Sequence, residues 1–218
     1  IDSLKRIYHA NQRIKASQNL LLKNIYDLAG YYRISNADSA IRYYEKSLRL
    51  AEEINVDTIV SLSLENLGNL YLQKGMPYTA LEHFIRNYEF WEHKGDQGAM
   101  AFTLCDIGNV YYSNSLYEVA KNYYLQSLHL FQKLNHKLGL SVIYNNLGMI
   151  KGVEKDYDSA IYFFNQAIRL RQQINDQFAV LHSRIYVAET YLKQNKPEMA
   201  ITLLDEILYL MTQLSKII

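Results

Sequence analysis

Amide and acidic side chains recur at matched positions along the sequence and could bind the backbone of another polypeptide. They flank three Leu-Gly or Ile-Gly pairs spaced 40 residues apart, and they are Asn66 and Asn69, then Asp106 and Asn109, then Asn145 and Asn146. An Asn amide carries donors and an acceptor on one planar group, so it can pair with a peptide backbone whatever the side chains of that peptide. The chemistry that this pattern favours is peptide recognition.

The motifs that common catalytic sites require do not occur in the sequence. There is no phosphate-binding loop, dinucleotide fingerprint or nucleophile elbow, because the glycines lie at repeat positions or in predicted turns. None of the six His residues forms an HExxH pair, and a single cysteine, Cys105, excludes an internal disulfide and a Cys-cluster metal site. We therefore expect no enzyme activity, no cofactor and no metal.

The composition indicates a helical domain with a net charge close to zero. Nine Gly and two Pro in 218 residues are too few for the many tight turns of a β-sandwich or barrel. Lys plus Arg (23) nearly equals Asp plus Glu (22), so we expect no nucleic acid partner for this segment. No apolar run approaches the roughly 18 residues of a membrane-spanning helix, and no signal-peptide pattern opens the chain. We expect a soluble segment of a longer product, cytoplasmic or periplasmic.

A period of 40 residues runs through the sequence. Ala stands at five positions with this spacing, which are Ala40, Ala80, Ala120, Ala160 and Ala200. Four residues after each Ala comes a large apolar or aromatic residue, in turn Tyr44, Phe84, Tyr124, Phe164 and Leu204. An offset of four places two residues on one face of a helix. Such a period is typical of proteins whose repeats stack on their neighbours.

Each unit is predicted to contain two helices of about 16 to 18 residues, separated by short polar breaks. Pro77 and Pro197 begin second helices, where the missing N–H costs nothing. In the first unit, Leu28, Ala29 and Tyr32 lie one residue late, so we predict that the turn before Ala40 is one residue shorter. The glycines of the Leu-Gly pairs are predicted to lie where two antiparallel helices approach closely.

The order of these residues resembles the tetratricopeptide repeat (TPR), in which an apolar-Gly pair and a Tyr precede an Ala and an aromatic residue. Two strings, SNADSAIRYYEKSLRLAEEIN and DYDSAIYFFNQAIRLRQQIND, are similar to units of bacterial TPR-bearing sensor kinases and transcriptional regulators. The resemblance implies an all-α fold, a right-handed TPR superhelix or α-solenoid of about five antiparallel helix pairs. We expect five repeats over residues 18–218. Residues 1–17 are expected to be an N-terminal helix, either the second helix of a truncated repeat or a basic arm.

In the TPR family the first helix of each repeat lines a concave groove, so the resemblance implies a row of binding side chains. The expected groove residues are Asn66, Asn69, Phe102, Asp106, Asn109, Tyr112, Asn145 and Asn146. The alternative is that these Asn residues bond within or between adjacent helices and stabilise the stack without a ligand. A clamp of Lys and Arg for a terminal carboxylate is not expected, because only Lys193 is basic among the equivalent positions.

The resemblance suggests a non-catalytic protein- or peptide-binding module, the sensory or scaffolding part of a bacterial signalling or regulatory protein. In this hypothesis an extended peptide binds in the groove. The alternative hypothesis is a structural solenoid that self-associates into a homo-oligomer, with the Asn ladder purely structural. A weaker third hypothesis is a regulator that switches on binding a short signalling peptide, as Rap-type TPR proteins do.

Overall fold

The computed structural model describes the backbone of residues 2–214 and the side chains of residues 13–212. Within this range the chain forms ten α-helices and no β-strand. The helices are α1 Asp2–Ser35, α2 Ala37–Glu53, α3 Asp57–Gln73, α4 Pro77–Lys94, α5 Gln97–Ser113, α6 Tyr117–Lys133, α7 Lys137–Val153, α8 Tyr157–Gln173, α9 Gln177–Lys193 and α10 Pro197–Leu214. The predicted all-α fold of paired helices is confirmed.

The helices divide between two compact units, unit 1 over residues 1–95 and unit 2 over residues 96–218. Unit 1 contains repeats one and two, formed by α1 with α2 and by α3 with α4. Unit 2 contains repeats three to five, formed by α5 with α6, α7 with α8, and α9 with α10. Helices α2 to α10 are 17 or 18 residues long, as the 40-residue period predicts.

Helix α1 differs from the others because it runs for 34 residues without a break. The predicted N-terminal helix of residues 1–17 therefore continues directly into the first helix of repeat one, and no turn marks a boundary between them. The turn between α1 and α2 is the single residue Asn36, whereas the turns within the later repeats have three residues, so it is shorter by two residues and not by one. Asn36 Oδ1 caps α2 by accepting the Ser39 N–H at 2.9 Å. The assignment of residues 1–17 to a truncated repeat stays a prediction.

Every turn after α2 contains one residue with a left-handed backbone, and these residues are 20 positions apart. Their φ angles lie between 50° and 74°, and they are Asn55, Gly75, Gly95, Ser115, Asn135, Lys155, Asn175 and Asn195. After α3, the Gly75 N–H donates to Leu72 O and the Met76 N–H donates to Tyr71 O, which is the Schellman pattern of helix ends. Gly and Asn dominate these positions because they adopt positive φ at the lowest cost.

The glycines of the repeat lie directly under aromatic rings of the second helices. A Cβ on Gly68 would be 2.6 Å from Phe84, and a Cβ on Gly148 would be 2.6 Å from Phe164. The same relation joins Gly108 to the ring of the buried Tyr124, at 2.5 Å. These distances leave no room for a side chain, so the prediction of a close helix approach at these glycines is confirmed.

A second ring contact recurs on these helix pairs. Tyr71 stacks on His83 with 5.3 Å between ring centroids, and Tyr111 stacks on Tyr123 at the same distance. In repeat one, the Tyr32 and Tyr43 rings stack at 5.6 Å.

Repeat four keeps a stacked pair although Lys151 replaces the first Tyr. Tyr144, seven residues earlier on α7, stacks on Phe163 instead, with 6.1 Å between ring centroids. Lys151 turns to the carboxylates of the following turn and lies 2.7 Å from Glu154 Oε2. This departure from the repeat pattern is therefore accommodated without loss of the ring contact.

Candidate peptide-binding surface

Two predicted groove residues of unit 2, Asn109 on α5 and Asn146 on α7, form a hydrogen-bonded network. Asn146 Nδ2 donates to Asn109 Oδ1 and to Cys105 Sγ, each at 3.2 Å. The Tyr124 hydroxyl also donates to Asn109 Oδ1, at 2.9 Å. Both N–H bonds of Asn146 are thus used, and none of the described donors bonds to its carbonyl oxygen Oδ1.

The equivalent residue of unit 1, Asn66 on α3, is held in the same way. Asn66 Nδ2 donates to the Tyr26 hydroxyl at 3.2 Å and to Leu62 O at 2.7 Å. A carbonyl can only accept, so the contact with Leu62 O fixes which end of the amide is the nitrogen. Within the described part of the chain, no donor bonds to Asn66 Oδ1. Asn66 and Asn146 are therefore oriented acceptors at matched repeat positions.

Asn145, a predicted groove residue, lies in the interior instead. It is only 6% exposed. With its amide oxygen turned toward α8, Asn145 Oδ1 accepts from Arg171 Nη2 at 3.0 Å and Nη1 at 3.1 Å. Successive residues on a helix point about 100° apart, so Asn146 can face outward while Asn145 faces the interior. A contact between Asn145 and a bound peptide is incompatible with this burial.

Arg171 is a buried cation that the sequence analysis did not single out. Its Nη1 donates to Ala179 O at 2.6 Å and to Ser183 Oγ at 3.0 Å on α9, while its Nε donates to Ser141 Oγ at 3.4 Å on α7. Burial lowers the pKa of Arg171, and the negative charge of Asp176 partly offsets this. The residue joins three helices. Its repeat position is occupied by Trp91 and Phe131 in repeats two and three.

The remaining predicted residues are divided between the two units. Asn69 is half-buried on α3 in unit 1, and Asp106 is half-buried on α5 in unit 2. Phe102 meets Phe131 edge to face, with 4.8 Å between ring centroids. Tyr112 meets Tyr117 in the same manner at 5.4 Å, and burial raises the pKa of its hydroxyl. In unit 2 the structure brings Asn109 and Asn146 into direct contact.

The chemistry open to this surface is hydrogen bonding and apolar contact. Burial raises the pKa of the Cys105 thiol, so a reactive thiolate is not favoured there. Across the described residues there is no group of three or more His, Cys, Asp or Glu that could hold a metal ion. None of the described helices is both long and apolar enough to cross a membrane.

The solved structures that this chain is similar to are helical repeat proteins. BtubC from P. vanneervenii matches 98% of this chain and 87% of its own, at 20% identity and a TM-score of 0.74. A signal transduction ATPase with numerous domains from Pyrococcus horikoshii, which has a tetratricopeptide repeat sensor, matches 88% of this chain and 30% of its own, at 20% identity and a TM-score of 0.71. The match to a Rap protein complexed with Competence and Sporulation Factor covers 91% of this chain and 57% of the Rap chain, at 17% identity and a TM-score of 0.75. At these identities the likeness shows the fold alone.

The family comparison covers most of the sequence. No curated protein matches the chain. The family model for the tetratricopeptide repeat matches residues 57–133 and 139–213, which together span α3 to α6 and most of α7 to α10. The fold of that family is typical of protein–protein interaction modules. The chain, with its paired helices and its Gly-under-ring packing in each matched region, belongs to the tetratricopeptide repeat family.

Proposed function

We propose that the chain is a non-catalytic module that binds an extended peptide, or a peptide segment of a protein, along the first helices within a unit. The observation that carries this proposal is the pair of oriented acceptors, Asn66 Oδ1 in unit 1 and Asn146 Oδ1 in unit 2. In both residues the N–H groups are bonded inside the protein, and the carbonyl oxygen is left for another donor.

An acceptor that is already held in place suits the backbone N–H groups of a peptide. Because the amide does not have to be ordered on binding, less conformational entropy is lost. An apolar side chain lies one helical turn before Asn66 in unit 1 and before Asp106 in unit 2. Leu62 is 39% exposed in unit 1, and Phe102 is 37% exposed at the same repeat position in unit 2. They would supply contacts for peptide side chains, while the amides recognise the backbone.

A sensory or scaffolding role in a bacterial signalling or regulatory protein is the finer part of this proposal. Two of the structures with the same fold support it. One is a Rap protein complexed with Competence and Sporulation Factor, and the other carries its repeats as the sensor of a signal transduction ATPase. A peptide bound on the first helices would be the input of such a module.

The proposal is tested by selecting peptides from a phage-displayed library of random linear peptides on the immobilised chain. Affinities of the selected peptides are then measured by fluorescence anisotropy. Asn146→Ala should weaken the binding of peptides held by unit 2 about tenfold or more, and Asn66→Ala should do the same for peptides held by unit 1, because each removes a fixed acceptor. Asn122→Ala, which truncates an exposed amide on the second helix α6, should leave the affinity unchanged.

Two results would contradict peptide binding at this surface. One is the absence of any peptide enriched over an unrelated helical protein. The other is an equal affinity of the selected peptides for the original chain and both first-helix variants. Melting curves followed by circular dichroism identify any variant whose loss of binding is a loss of folding.

A second candidate function, self-association, is favoured by the apolar side chains that α10 exposes. They include Leu208, which is 60% exposed, and Met211, which is 52% exposed. Light scattering over a concentration series should then show an oligomer, and Leu208→Glu should reduce its population. A strict monomer at the highest concentration would rule out this function.

A further inference from the structure

Repeat five contains a cavity that the peptide-binding surface does not use. It has a volume of about 400 Å³ and lies among α8, α9 and α10 of unit 2. Its apolar lining is Ile168, Val187, Tyr191, Met199 and Leu203. Its polar lining is Asn165, Arg184, Thr202 and Glu206. The volume is at the lower end of the range of small-molecule sites.

The cavity coincides with a missing aromatic ring. Tyr191 has the repeat position of Tyr71 and Tyr111, both of which carry a stacked ring from the second helix. The residue that would provide this ring in repeat five is Leu203, where the other repeats have Tyr43, His83, Tyr123 and Phe163. Among the described residues, no ring is stacked on Tyr191. One lining residue of the cavity is therefore an aromatic ring that lacks the partner found in other repeats.

The polar part of the lining carries one charge of each sign. Arg184 has the repeat position of Leu64 and Leu104, which are buried core residues of repeats two and three. Its Nη1 lies 3.5 Å from Glu206 Oε2. Both side chains are partly exposed, so each can also meet a ligand from the cavity. A guanidinium and a carboxylate side by side complement a molecule that carries a carboxylate and an ammonium group.

We propose that this cavity binds a free aromatic amino acid. The ring of the ligand occupies the space of the missing repeat ring, against Tyr191 and Leu203. Its carboxylate pairs with Arg184, and its ammonium group pairs with Glu206. Ring stacking and the two ion pairs together select an aromatic zwitterion over an aliphatic one. The site is separate from the acceptors Asn66 and Asn146, so it does not depend on peptide binding.

The test is isothermal titration calorimetry of the chain with L-tryptophan, L-tyrosine and L-phenylalanine. We expect saturable binding of at least one of the three, with one ligand per chain. Leu203→Tyr should weaken this binding about tenfold or more, because it supplies the ring that the ligand replaces. Leu204→Tyr makes the same exchange at the next position, outside the cavity lining, and should leave the affinity unchanged.

A second variant keeps the test decisive if Leu203→Tyr does not fold. Arg184→Leu restores the residue found in repeats two and three, removes the partner of the ligand carboxylate, and should weaken binding by a similar factor. Asn146→Ala, which belongs to the peptide-binding surface, should bind the amino acid like the original chain. That last comparison separates a failure of this proposal from a failure of the proposed function.

Three results would overturn the proposal. The first is no saturable heat with any of the three amino acids at concentrations up to about 10 mM. The second is binding that neither Leu203→Tyr nor Arg184→Leu weakens. The third is equal affinity for L-tryptophan and N-acetyl-L-tryptophanamide, because a ligand without its charges would then bind through the ring alone, as a peptide side chain does.

Discussion

Repeats four and five of unit 2 have the same two-helix plan, yet their interiors are filled differently. In repeat four, Gly148 lies under the ring of Phe164, and Arg171 fills the space between helices with a hydrogen-bonded guanidinium. In repeat five, the corresponding residues are Ala188, Leu204 and Met211. Leu204 and Met211 are exposed.

The difference shows that the repeat pattern specifies the helix pairs more strictly than it specifies how they are packed. Repeat four closes its interior with large rings over small residues. Repeat five uses smaller side chains at the ring positions, and a cavity of about 400 Å³ borders its helices. A closed repeat contributes stability to the stack, whereas a repeat with a cavity can acquire a ligand.

The largest expected effect comes from removing the buried cation of repeat four. Arg171→Ala should lower the free energy of unfolding by about 3 kcal/mol, because it opens a cavity and removes the guanidinium that donates to Asn145 Oδ1 and Ser183 Oγ. Met211→Ala, at the same position of repeat five, should cost less than about 0.5 kcal/mol, since that side chain is largely exposed. Urea denaturation followed by circular dichroism measures both. Equal losses would break the contrast between the repeats.

A smaller effect is expected from a methyl group under the ring of repeat four. Gly148→Ala should lower the free energy of unfolding by about 2 kcal/mol, because its Cβ would be 2.6 Å from Phe164. A Cβ on Gly152, which lies on the same helix, would meet no neighbouring atom within 4 Å. Gly152→Ala should therefore raise stability by about 0.5 to 1 kcal/mol through helix propensity. The same urea titration measures both, and a gain for both variants would refute the tight packing at Gly148.

The smallest expected effect concerns the turns that join the helices of the two repeats. Lys155 in repeat four and Asn195 in repeat five have left-handed backbones, with φ of 62° and 59°. Lys155→Gly should raise the thermal midpoint, because it relieves the steric cost of a Cβ at positive φ. The expected gain in the free energy of unfolding is about 0.5 to 1 kcal/mol. Asn195→Gly should change it little, since Asn tolerates this conformation. A rise of similar size in both variants would show that residue type at these turns is unimportant.

The helix pairs could be predicted from the sequence because every copy of the repeat meets the same packing demand. Tyr124 and Phe164 recur four residues after Ala120 and Ala160, since each ring must fit against a glycine of the preceding helix. Pro77 and Pro197 begin α4 and α10 as predicted. The period thus determines the helices and most turns before any contact is known.

The site was less predictable because its side chains are oriented by contacts from other helices. Asn145 and Asn146 are identical neighbours, and only the position of Arg171 shows which of them points inward. Arg171 itself has a residue type typical of surfaces, and its burial depends on acceptors from α7 and α9. The single-residue turn at Asn36 follows from the extension of α1 to Ser35, which the offset of Leu28 and Tyr32 only partly indicated.

The left-handed turn residues at intervals of 20 positions have a consequence for how such a chain can change in length. The block of residues 136–175 follows the left-handed Asn135 and ends on the left-handed Asn175. The residue before the block and its last residue therefore have the same backbone conformation. Excising or duplicating that block would join ends that already match. Gene duplication or unequal recombination can therefore lengthen or shorten this protein in whole repeats, without a new junction having to evolve each time.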